Sequence, residues 1–101
     1  MIEKTFTFFE EGSSDIESKE CLNGSAKELV LEVTGSGFNL EVLGAAQDEY
    51  YPLFAVNLKT VDIVENITEE GNYILSAEGM RKIKITNSGS TGVTVYGKLV
   101  R

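Results

Sequence analysis

The stretch Lys82–Val100, KIKITNSGSTGVTVYGKLV, decides how this chain folds. Two runs of apolar–polar alternation flank a glycine- and serine-rich interruption. Ile83 and Ile85 share one face of the first run, with Lys82, Lys84 and Thr86 on the other. Val93, Val95, Gly97 and Leu99 line one face of the second, opposite Thr94, Tyr96, Lys98 and Val100. Successive side chains of a strand point to opposite faces, so this period specifies β-structure with one dry face. The short break at Asn87–Gly92 predicts that the runs fold back on each other as an antiparallel hairpin closing the domain.

The same period recurs upstream. Leu29, Leu31 and Val33 alternate with Glu28, Val30, Glu32 and Thr34. After Gly35-Ser36-Gly37, Phe38, Leu40 and Val42 repeat the pattern, and these two segments read as a second hairpin. Lys4–Phe9 is aromatic and threonine-rich, with Phe6 and Phe8 on one side and Phe9 opposite. Ile16–Leu22 reads as a short or edge strand, Leu53–Leu58 as a buried strand or bend, Thr60–Ile67 and Tyr73–Ala77 as strands. Gly44–Tyr51 reads as a loop ended by Pro52. Seven to nine short strands at such spacing, without a convincing helix, predict an all-β, antiparallel two-sheet β-sandwich, jelly-roll-like, as a single domain over residues 1–101.

Charge excludes some partners. The formal net charge is −7, with eleven acidic and three basic side chains in residues 1–50 against five and six in residues 51–101. Phosphate recognition draws on clustered Lys and Arg, so neither nucleic acid nor an anionic membrane is an expected partner. The basic triplet Arg81, Lys82 and Lys84 reads as a solvated face. The amino terminus lacks a basic segment followed by an apolar one, and no apolar run reaches membrane-spanning length, so synthesis and residence in a host cytoplasm are expected.

Catalytic chemistry finds no constellation. With no histidine and one cysteine, Cys21, neither a Ser-His nor a Cys-His arrangement is possible, nor a multi-cysteine zinc site or intramolecular disulfide. Cys21, beside Leu22, reads as a half-buried structural thiol. The paired carboxylates Glu10-Glu11, Asp48-Glu49 and Glu69-Glu70 all fall in turns, whereas acid–base catalysis needs two groups whose environments push their pKa values apart inside a cleft. Asp48, Glu49, Asp62 and Glu65 offer oxygens but not calcium-loop spacing. No enzyme activity, metal or cofactor is expected. The remaining binding cue is aromatic: Asp48, Tyr50 and Tyr51, beside Pro52, form a candidate contact site for a protein partner. They also suit a host-surface glycan, its rings stacked on Tyr50, Tyr51 and Tyr96 and its hydroxyls bonded to Asp48.

From Gly37 onward the chain resembles small β-sandwich proteins encoded by bacteriophages and prophages. The resemblance runs through GFNLEVLGAAQDEYYPLFAVNLKT, ITEEGNYILSAEGMRKIKIT and GVTVYGKLV, about two-thirds of the chain. Its elements are Gly44, Asp48 with Tyr50 or Tyr51, Pro52-Leu53, Asn57–Thr60, Gly71–Tyr73, Gly79-Met80 to Ile85, and Val93–Leu99. Where members of that class often carry a Ser-Asn-Asp-Gly turn and a tryptophan, this chain has Ala-Ala-Gln-Asp-Glu and tyrosine. The resemblance implies a non-enzymatic structural or adaptor protein of the virion, in the tail, baseplate or an accessory position. It also implies other virion proteins as partners and a possible homo-oligomer.

Overall fold

Each alternating run becomes a strand whose apolar positions are buried. The computed structural model describes residues 3–12 and 16–101, which form two antiparallel sheets packed face to face. The six-stranded sheet runs β1 (Glu3–Phe9), β11 (Val93–Val100), β3 (Glu28–Gly35), β9 (Gly71–Ser76), β6 (Ala55–Asn57), β7 (Ile63–Val64). The five-stranded sheet runs β2 (Cys21–Leu22), β10 (Lys82–Asn87), β4 (Leu40–Ala45), β5 (Tyr50–Leu53), with β8 (Asn66–Ile67) also paired to β4. Leu29, Leu31, Val33, Phe38, Leu40, Val42, Ile83, Ile85, Val93 and Val95 are all buried in one cluster between the sheets. The dry interior required by the period is present.

The expected hairpins are not. β10 pairs with β2 and β4, whereas β11 pairs with β1 and β3, so Lys82–Val100 is an arch that crosses between sheets. β3 and β4 likewise belong to opposite sheets. Two alternating strands can turn their dry faces toward one core either side by side or face to face, and the period is the same for both. The two arches nest at one end of the sandwich: Ser90 N–H donates to the Gly37 carbonyl at 2.8 Å, and Ser36 N–H to that of Gly92 at 3.3 Å. Gly35, at φ 131°, lies so close that a Cβ there would collide with the Gly92 carbonyl oxygen. Asn87 locks the nest: its Oδ1 accepts from Asn39 N–H (3.2 Å) and Gly89 N–H (2.9 Å), and its Nδ2 donates to the Ser90 carbonyl.

Sheet switching also raises the strand count among the described residues to eleven. Leu53–Leu58 changes sheets at Phe54, and Thr60–Ile67 changes at Glu65, so each expected strand is two short ones. At the sandwich's other end buried Asn23 gathers three turns, its Nδ2 facing the carbonyls of Ala26, Ala77 and Met80 at 3.2, 2.9 and 2.8 Å. Phe8 and Phe9 are both buried, contrary to strict alternation, because the β1–β11 register slips between Thr7 and Phe9. Phe8 then lies over Gly97, where an added Cβ would meet its Cε2 at 2.5 Å. Cys21 is fully buried rather than half-buried, and desolvation pushes its thiol pKa up.

Candidate functional site

The three residues singled out from sequence do not stay together. Gly44–Tyr51 is not one loop: β4 continues to Ala45, β5 begins at Tyr50, and Ala45 pairs with Tyr50 across the hairpin. Pro52 is tolerated inside β5, an edge strand, where its missing N–H breaks no ladder. Tyr50 and Tyr51 are therefore strand neighbours on opposite faces. Tyr51 pairs with Gly44 and lines an apolar depression of about 260 Å3 with Leu53 and Met80. Tyr50 joins the outer face of the five-stranded sheet. Asp48, highly exposed, reaches that face through its carboxylate, 4.0 Å from Lys82 Nζ.

Around Tyr50 the polar groups bind one another. Its hydroxyl donates to Glu20, and Lys84 and Lys82 Nζ lie 4.3 and 5.4 Å from its ring centre. Lys84 pairs with Glu17 at 2.9 Å and Lys82 with Glu20 at 3.4 Å. Outward-facing Ala45, with Tyr50 and Lys82 on either side in its row, is fully buried. Burial first, then the hydrogen bond its hydroxyl donates to Glu20, raises the Tyr50 pKa far above the usual tyrosine value. The Tyr50 hydroxyl, helped by Lys82, holds the Glu20 carboxyl below the usual range. Lys82 and Lys84 of the basic triplet thus lie half buried among glutamates.

The opposite outer face carries a signal that strand-by-strand reading misses. Cross-strand pairing places Val30, Ile74, Val56 and Ile63 in one row on β3, β9, β6 and β7. The outer face of an antiparallel sheet is normally polar where water covers it. Here an apolar stripe runs to the free edge, where Ile63 is 72% exposed. Phe54, 59% exposed, adjoins the stripe, lining a depression with Val56 and Ile74. Beyond the edge, the β6–β7 turn projects Leu58 and Val61, both exposed. Asn57 shapes the turn, its Oδ1 accepting from the N–H groups of Lys59 (2.9 Å) and Thr60 (3.3 Å). Val61, at φ 64°, is the one non-glycine residue with positive φ among those described, an unusual state for a β-branched side chain. Four β-branched residues at scattered sequence positions become neighbours only once the strand order is known.

Among the described residues no His, Cys, Asp and Glu cluster is placed to hold a metal ion, and no helix is long and apolar enough to cross a membrane. No protein-family model matches the chain, and no curated protein matches it by sequence. Two solved structures share the fold. The SPBc2 prophage-derived protein YomS matches with a TM-score of 0.88 at 24% identity, over 99% of this chain and 94% of YomS. The PBSX exported protein XepA matches with a TM-score of 0.89 at 18% identity, over 97% of this chain. The chain spans only 37% of XepA's length.

Proposed function

We propose that this chain is a non-enzymatic structural or adaptor protein encoded by a phage or prophage. In this reading it is made in the bacterial cytoplasm and joins the virion, in the tail, baseplate or an accessory position. It acts there through protein–protein contacts. The carrying observation is the apolar stripe Val30–Ile74–Val56–Ile63 with Phe54, ending at a free edge. Exposed Ile63 and Phe54, continuous with half-buried Val30, Ile74 and Val56, form an apolar surface of the kind that another protein covers. Other virion proteins are the intended partners, a second copy of the chain among them. The fold shared with a prophage-derived protein supports the phage origin.

Mass spectrometry of purified particles from an induced lysogen tests the reading. The chain is expected in the particles, and Ile63→Lys is expected to reduce it at least about tenfold, the equivalent of 1.4 kcal/mol at the contact, while its level in the lysate holds. Repeated absence of the wild-type chain from particles would end the proposal. Undiminished incorporation of Ile63→Lys would remove the stripe as the contact.

A further inference from the structure

Two residues along β3 and β9 from the apolar stripe lies a row of different chemistry. Cross-strand pairing sets Thr7, Tyr96, Glu32 and Asn72 side by side on β1, β11, β3 and β9, all pointing outward. Together with Thr5 and Lys98 they line a shallow depression of about 340 Å3. Tyr96 is 48% exposed, and Thr7, Glu32 and Asn72 are exposed beside it. The side chains of Thr7, Tyr96, Glu32 and Asn72 make no hydrogen bond or ion pair within the described residues. Around Tyr50 such groups are engaged internally; Thr7, Tyr96, Glu32 and Asn72 have no such partner among the described residues.

We propose that this row binds a neutral glycan chain. A sugar ring has an apolar C–H face and a rim of hydroxyls, each able to donate and accept. Tyr96 offers a flat ring for that face without the entropy cost of a long flexible side chain. The Glu32 carboxylate accepts from hydroxyls, while the Asn72 carboxamide both donates and accepts. With strands about 4.8 Å apart, Tyr96 to Asn72 spans about 10 Å, room for one ring on Tyr96 and the next reaching Asn72. Glu32 and Lys98 line the depression with opposite charges, and the chain's net charge of −7 opposes anionic polymers, so a neutral one is favoured. Phe6 and Val30 also line the depression, so the apolar face of a sugar meets apolar side chains while its hydroxyls meet the polar ones.

Titration of the 15N-labelled full chain with chitotetraose, maltoheptaose and a neutral galactan, each to about 10 mM, a range that captures millimolar affinity, tests the site. At least one probe is expected to shift the amides of Thr7, Tyr96, Glu32 and Asn72. Tyr96→Ala is expected to weaken that probe at least about tenfold, the scale of one lost stacking contact. Glu32→Gln, which keeps the shape, should weaken it severalfold, and Tyr51→Ala should leave it unchanged. Undisturbed amide dispersion elsewhere shows that each variant is folded. Silence with all three probes, shifts centred on Asp48 and Tyr51 instead, or full affinity in Tyr96→Ala would each overturn the proposal. Particle incorporation reads the stripe separately, so the two proposals fail independently.

Discussion

Tyr50 on the five-stranded sheet and Tyr96 on the six-stranded sheet both point outward between charged neighbours. Tyr50 donates a hydrogen bond to Glu20 and lies beneath Lys84, which is itself paired with Glu17. Tyr96 stands beside Glu32 with no such partner among the described residues. A lysine already bonded to a glutamate must give up that bond before it can bind anything else, and the loss subtracts from affinity. The concentration of aromatic and charged residues around 48–51 and 82–84 therefore marks the face that folding itself consumes. The plainer face, with Tyr96, a few polar groups and an apolar stripe joined by Phe54, keeps its capacity for partners.

Removing each tyrosine in turn tests the difference between the two faces most directly. Tyr50→Ala loses a hydrogen bond to a carboxylate and the cations over the ring, an expected cost of about 2 kcal/mol. Tyr96→Ala removes no internal partner and should stay within about 0.5 kcal/mol of the parent. Urea denaturation at constant slope measures both. Equal costs would mean that Tyr96 is as much a part of the scaffold as Tyr50, and the two faces would no longer differ in kind.

How far sequence alone reaches is visible in the same residues. Period two identified which side chains are dry, because alternation is a local property that any strand displays. Leu29, Leu31, Val33, Ile83, Ile85, Val93 and Val95 follow directly from it. Pairing is not local. The Asn87–Gly92 connection has the length and composition of a hairpin, and only its contacts with the Gly35–Asn39 connection make it an arch. Strands switching sheets at Phe54 and Glu65 leave no periodic trace. Surface rows suffer most, since the stripe from Val30 to Ile63 draws one residue from each of four strands. Asp48 and Tyr50 were legible as a cluster with chemistry, but their saturation by Glu20, Lys82 and the neighbouring Lys84 depends on strand order again.

A smaller effect is expected at the edge of the six-stranded sheet. Val61 holds φ 64° in a turn whose carbonyl and amide groups are already bonded, with Val61 N–H donating to the Asn57 carbonyl at 2.7 Å. The left-handed region costs an ordinary L-residue about 1–2 kcal/mol, and asparagine tolerates it better. Val61→Asn should therefore raise stability by about 1 kcal/mol, seen as a higher urea midpoint at unchanged slope. The strain persists in the wild type beside exposed Leu58 and Ile63. A gain in stability accompanied by loss of particle incorporation would tie that strained tip to the contact face. No gain would show that the turn relieves the strain elsewhere.

The smallest effect, and the one confined to the saturated face, is in pH. Tyr50 keeps its proton in the folded state beyond the pH at which an unfolded chain loses it, through burial and then Glu20. Above the ordinary tyrosine value of about 10, the folded state therefore binds more protons than the unfolded one, and stability falls as pH rises; below that value the contribution is intact. Glu20 has the opposite sign. Its carboxyl is held down by the Tyr50 hydroxyl, so its contribution is present above the usual carboxylate range and is lost as pH falls through the depressed value. Both groups meet water, so screening keeps the amplitude modest. Glu20→Gln removes the charge from both limbs: the stability profile should flatten at its acid and alkaline ends, and the ultraviolet titration of Tyr50 should move to lower pH. The delayed step of Tyr73, raised first by burial and then by Glu69, should stay where it is. If Tyr50 fails to move, burial alone holds its proton, and the pairing that separates this face from the other is weaker than its geometry indicates.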